Sequence, residues 1–423
     1  MKKLLLLLVL LLAVPVVLAQ DDGENDPAVT PAVRDQIDAL EAYASDVREL
    51  PALASVERLF PTRAEAIETL RGQLDQELTD VYVLESMQFY RAFDFITDDL
   101  DLESLFTELI TSQVAGFYDP RTDEMNVLLL SKDADLADGL PPLERVIYVH
   151  EYIHALQDQH FDLSTLREGV EEPDHLLAIT ALIEGDATYV MQQYTLRLIQ
   201  QEPQAIEALL EFDASGAAEL PSGTPEVLEA ELIMPYLAGL NFVGALVSNG
   251  GWEAVDAAFD NPPVSTEQVL HPRKYIDGEL PLTVEVVDAV EVLGEGWSLL
   301  NTRTLGEFYL DHYLMTQLDG DIAGDAAEGW GGDRYHLYYN AEADQRAWVM
   351  RLAWDTPGDR DEFVEAFAAF MAARLDTLED ESCGTTADDT LCMLAAGEDV
   401  ILAYAPQLEQ ARALLDAQAV AVP

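Results

Sequence analysis

His150-Glu151-Tyr152-Ile153-His154 sets two imidazoles at positions i and i+4 with a carboxylate beside the first. On an α-helix, side chains four residues apart lie on one face, one turn apart. Both rings then reach a single ion, and neutral imidazole is a zinc ligand. Glu151 is turned about 100° from His150. It can reach a water at the metal without binding the metal itself. A catalytic zinc site takes three protein ligands and leaves the fourth position to water. Three residues compete for the third place. His160 follows on the same helix but is turned about 240° from His154. His175 stands in the acidic entry to the next helical stretch. Glu184 is a carboxylate inside an apolar run, Ala181-Leu182-Ile183-Glu184-Gly185, where burial is costly unless an ion or a partner meets it. Glu184 is the strongest of the three. Gly185 beside it, lacking a Cβ, lets another backbone approach closely.

The HEYIH segment followed by IEGDATY (183–189) resembles the gluzincin group of zinc metallopeptidases, in particular the bacterial peptidase MA-like type, whose third ligand is the Glu of an E-G-x-A segment. The preceding GFYDPRTDEMNV (116–127) resembles the edge-strand region that such enzymes set before the motif helix. The resemblance spans about residues 114–251. It implies that His150, His154 and Glu184 bind Zn²⁺ and that Glu151 is the general base. In that chemistry Glu151 takes a proton from water and returns it to the leaving amine of a peptide bond. The sequence departs from the pattern after Glu184, where Asp186 and Thr188 follow and no carboxylate stands four residues on. Asp186 and Asp158 are the candidates for holding a ligand imidazole from behind. Stabilising the oxyanion needs a further donor. Tyr236, in PYLAG, and His271 or Tyr275, in STEQVLHPRKY, are the candidates.

The function so implied is that of a secreted zinc-dependent metallopeptidase with a peptide or protein substrate. Two rivals belong to other classes: an extracellular binding or structural protein with a non-catalytic zinc site, and a zinc hydrolase of a non-peptide bond. Glu151 argues against the first, because a structural site fills all four positions with protein and has no use for a base.

These side chains need elements to hold them. Apolar residues at three- and four-residue steps predict helices over 33–50, 55–78, 82–95, 102–111, 143–159, 174–200 and 226–248. Residues 116–118 and 125–130 predict two strands about a turn started by Asp119-Pro120. The second of these, 125–130, is a candidate for pairing with an extended peptide. Beyond about residue 280 the pattern is mixed: strands over 282–287, 335–339, 347–354 and 400–404, helices over 304–318, 361–375 and 406–417. GWGGDRY (329–335) predicts a tight turn. The fold class expected is α+β, predominantly helical, with a zincin-like catalytic domain and small sheet plus a C-terminal α+β region. The divisions are 1–19, 20–31, an N-terminal helical region 32–113, the catalytic domain 114–275 and the C-terminal region 276–423.

Residues 1–19 carry a basic start, an apolar run and small residues before Gln20, the pattern of a cleaved signal peptide. No Cys follows that run, so lipidation is not expected, and no second run of spanning length is expected either. Residues 20–31 form an acidic linker, and residues 20–78 stand as a candidate propeptide. Cys383 and Cys392 predict a disulfide in an oxidising compartment. The chain carries 80 acidic and 22 basic residues, a net charge of −58, with only four Lys. Such a charge argues against nucleic acid and anionic membranes as partners. With 49% apolar residues, wholesale disorder is excluded too.

Overall fold

The computed structural model describes residues 30–419 except 78, 114–115, 129–138, 208 and 211–219. The expected signal peptide and residues 20–29 of the linker lie outside the described residues. Within them the protein is α+β and predominantly helical, with a small sheet in the first half and a larger one at the C-terminus.

Three long helices frame the HExxH segment. Their starts follow from local chemistry: Pro142 opens the motif helix (Pro142–Phe161) and Pro173 the ligand helix (Pro173–Gln201), each at a first turn where no N–H is needed. The cover helix (Glu226–Gly250) follows. Ligand and cover helices cross with almost no space between their backbones. A Cβ on Gly185 would lie 2.2 Å from the Gly239 carbonyl oxygen, and one on Gly239 would lie 2.1 Å from that of Ala181. Only glycine allows this approach. An N-terminal helix (Pro31–Arg48), capped by the Thr30 side chain, lies across the motif helix. Its face of Val33, Ile37, Leu40 and Ala44 shares a core with Tyr148, Val149, Tyr152, Ile153 and Leu156.

The small sheet consists of β1 (Glu57–Leu59), β2 (Gly116–Asp119) and β3 (Glu124–Val127) in the order β1-β3-β2. Residues 55–78, expected as one helix, instead give β1 and then a helix Arg63–Glu77. β1 pairs with β3 in parallel, which makes β3 the central strand. The stretch 125–130 is therefore not a free edge for a peptide as far as it is described; the strands at the two ends of the sheet are β1 and β2.

The C-terminal sheet is antiparallel in the order β4-β5-β6-β10-β9-β8-β7. Its strands are β4 (Ser298–Arg303), β5 (Trp330–Asn340), β6 (Gln345–Trp354), β7 (Thr377–Leu378), β8 (Cys383–Thr385), β9 (Thr390–Ala396) and β10 (Asp399–Ala405). Cys383 and Cys392 face each other across β8 and β9 and form a disulfide, as expected. Residues 282–287 form no strand. In GWGGDRY the turn is confined to Gly329, at φ 84°; residues 330–335 are the bulged start of β5, and a Cβ on Gly332 would meet the Leu282 carbonyl at 2.4 Å. The main apolar core runs from Ala66 through the ligand and cover helices to Leu402, so the sequence divisions at 113/114 and 275/276 are not gaps in it.

The cover helix is also long and apolar enough to cross a membrane, with a mean hydropathy of 1.5, contrary to the expectation of no second such run. Here it buries Leu228, Met234, Phe242, Val243 and Leu246 in protein.

Candidate metal centre

The helical period brings His150 and His154 onto one face of the motif helix, and the ligand helix lays Glu184 against them. His150 Nε2 lies 3.1 Å from His154 Nε2 and 3.1 Å from Glu184 Oε2; His154 Nε2 lies 3.6 Å from the same oxygen. All three residues are buried, and their ligand atoms form a group that could hold a metal ion. His160 and His175 are not in it; His160 Nε2 bonds the Pro51 carbonyl at 2.8 Å.

The tautomer of His154 follows by elimination. Gln157 Nε2 donates to the Ile183 carbonyl and to Asp186 Oδ2, each at 3.0 Å. Its Oε1 therefore faces His154 Nδ1 at 2.9 Å and must accept from it. Neutral His154 then carries its proton on Nδ1, and its Nε2 lone pair points into the group. This corrects the expectation for the two aspartates. Asp186 holds Gln157 rather than an imidazole, and Asp158 accepts from the Tyr118 hydroxyl and the Leu163 N–H.

Charge is balanced tightly around Glu184. Burial raises its carboxyl, but the two imidazoles that face it, His154 first, outweigh burial and hold it well below the usual range. Burial lowers His154, yet Glu184 and Glu151 outweigh it and raise that imidazole. Glu151 is buried beside the group, and burial outweighs the imidazoles to raise its carboxyl. Its Oε2 accepts the Tyr118 N–H of β2 at 3.2 Å, which ties the motif helix to the edge strand.

Tyr236 reaches the group from the cover helix. Its ring stacks on His150 with centroids 6.0 Å apart, and its hydroxyl lies within electrostatic reach of Glu184 and Glu151. Tyr236 is one turn from Gly239, so the glycine crossing aims it. Burial first, then the Glu184 and Glu151 charges, raise its phenol well above the usual value. It remains a proton-bearing donor.

His271 does not join the group. Its Nε2 pairs with Glu307 Oε1 at 2.7 Å, and the Tyr275 hydroxyl donates to the Asn261 carbonyl. The segment STEQVLHPRKY is a structural joint instead. Lys274 Nζ fills the space between Glu267, Glu279 and Asp355, at 2.6 Å from Glu267 and 3.0 Å from Glu279. Those three carboxylates could also have held a cation; an ammonium occupies the place. Gln157, Tyr118 and Arg48, which bonds Asp186, were not legible as site residues.

A family model described as a domain of unknown function (DUF8575) matches residues 298–415, which hold the C-terminal sheet and its helices. No curated protein and no solved structure matches the chain.

Proposed function

We propose that this protein is a zinc-dependent metallopeptidase, exported by an N-terminal signal sequence, with a zincin-like catalytic unit. The observation that carries the reading is the buried His150–His154–Glu184 group with Glu151 beside it and outside it. The group fits zinc. Bonds of ~2.0–2.1 Å at tetrahedral angles set neighbouring ligand atoms about 3.3–3.4 Å apart, and the three separations here are 3.1, 3.1 and 3.6 Å. A three-ligand set of two neutral imidazoles and one carboxylate also matches an open, catalytic site rather than a closed one.

A zinc ion bound there would supply Lewis acidity toward a water and a substrate carbonyl. The chain's own residues do the rest. Glu151 has one oxygen engaged by the Tyr118 N–H and the other left to take a proton from the attacking water. Its raised pKa brings it closer to the operating range of a general base, and the proton it takes is then given to the leaving amine. The Tyr236 hydroxyl, on the ring that stacks against His150, is the donor we assign to the oxygen that gains charge.

The test is direct. Wild-type protein should carry close to one zinc per chain and cleave members of a mixed peptide library. Glu151→Gln should keep the zinc and lose hydrolysis by ~100-fold or more. A purified chain that is free of zinc and loses no activity on His150→Ala would sink the reading.

A further inference from the structure

We infer that Arg48, at the end of the N-terminal helix, is a positioning residue for the metal centre, and that the centre is complete only while this helix is docked. The inference rests on the metal site proposed above. It starts from a chain of contacts that leaves the site from behind. His154 Nδ1 donates to Gln157 Oε1 at 2.9 Å, and Gln157 Nε2 donates to Asp186 Oδ2 at 3.0 Å. Arg48 Nε meets both oxygens of Asp186, at 2.7 and 2.9 Å. Arg48 Nη2 goes on to Asp256 Oδ1 at 2.7 Å, and the guanidinium lies 4.5 Å over the Trp252 ring. His154, Gln157, Asp186 and Arg48 are all fully buried.

Burial gives each link a consequence. A buried carboxylate needs a counter-charge, and Arg48 is the cation in contact with Asp186. Asp186 in turn helps to fix which end of the Gln157 amide faces His154. With Asp186 drawn away, the amide keeps only the Ile183 carbonyl as a guide and can turn its NH₂ toward Nδ1. That orientation offers His154 a donor instead of an acceptor, and the imidazole no longer holds its Nε2 lone pair toward Glu184 and His150. Outer contacts of this kind orient metal ligands and tune affinity.

The N-terminal helix touches both ligand-bearing helices. Its apolar face and the Glu41–Tyr148 hydrogen bond of 2.6 Å hold the motif helix, while Arg48 holds the ligand helix. A segment so placed is part of the site. Removal of residues 20–78 as a propeptide would remove Arg48 with it.

The experiment uses the full exported chain. Zinc affinity is measured by competition with a chromophoric chelator, and the ligand field by the visible spectrum of the cobalt-substituted protein. Folding is checked by circular dichroism. Arg48→Met and Gln157→Leu should each weaken zinc binding about 10- to 100-fold and shift the cobalt bands. The double variant should bind no more weakly than Gln157→Leu alone, because both changes cut one path. Should Arg48→Met leave Asp186 too costly for folding, Arg48→Met with Asp186→Leu removes the charge pair together. That variant should fold and still bind zinc weakly. Wild-type binding with unchanged affinity and cobalt spectrum in the folded variants overturns the role of Arg48 alone. A wild type that binds neither metal overturns the metal centre itself.

Discussion

Glu151 and Tyr236 meet the same cluster from different helices, and burial raises the pKa of both, to opposite effect. A raised carboxyl becomes a better base, while a raised phenol is locked as a donor. Tyr236→Phe keeps the ring stacked on His150 and removes only the hydroxyl. It should lower kcat by ~100- to 1,000-fold, the range for loss of one oxyanion donor, with zinc content and KM little changed. A rise in KM with kcat intact would move Tyr236 from the reacting oxygen to ground-state binding. The legible part of this site was the part that helical geometry maps directly. HExxH places two imidazoles by spacing alone, and Glu184 drew notice as a carboxylate with apolar neighbours. Gln157 carries no such mark in a helix rich in polar residues. Arg48 lies 138 residues from its partner Asp186, a distance no local pattern spans. His271 misled for the converse reason: a histidine in a polar segment satisfies Glu307 as readily as a substrate.

The glycine crossing is the device that converts two separate helices into one site. Gly239→Ala would put a methyl group 2.1 Å from the Ala181 carbonyl oxygen. The helices must part, carrying Glu184 and Tyr236 away from the motif helix. A loss of about 2–3 kcal/mol or more in stability is expected, together with loss of zinc. Gly244→Ala on the same helix is the control, because its new Cβ meets only the Tyr189 ring at 3.6 Å. Helix propensity should make that change neutral or stabilising by up to ~1 kcal/mol. Equal melting temperatures for the two variants would show that the crossing is slack. Helices of this protein were largely legible, since Pro142 and Pro173 announce their starts. Strands were less so. β3 is central only because β1 arrives from residues 57–59, inside a stretch whose apolar spacing reads as helix. β4 exists through pairing with β5, from which the helices Gly306–Met315 and Gly320–Ala327 separate it, and such pairing is invisible to a local period.

Across the whole molecule, a net charge of −58 conceals a second population of acids that are buried and not coat. Glu231 sits inside the cover helix's packed face, accepting the Tyr90 hydroxyl at 2.9 and 3.0 Å. Burial, against the hydrogen bonds of Tyr90 and Tyr309, pushes its carboxyl up to about 8. Burial likewise pushes Glu267 up to about 7, despite Lys274, and Asp333 up to about 6. An unfolded Glu titrates near ~4.3. Between that value and 8, native Glu231 holds a proton that the unfolded chain has released. Its stabilising share is complete below the unfolded pKa and is lost as pH rises through the folded one. The melting temperature should therefore fall from about pH 5 to pH 8.5. Repulsion among the surface carboxylates gives a slope of the same sign, but salt screens that part and leaves the buried groups nearly untouched. Glu231→Gln removes one titration while keeping an acceptor for the tyrosines. In ~1 M salt, wild type and variant measured side by side share the metal's own pH dependence, which then cancels. The variant should lose less stability between pH 6 and 8.5, by a few kcal/mol at ~1.4 kcal/mol per pKa unit. Parallel slopes at high salt would show that Glu231 does not hold its proton in this range and would assign the remaining pH dependence to groups that both proteins share.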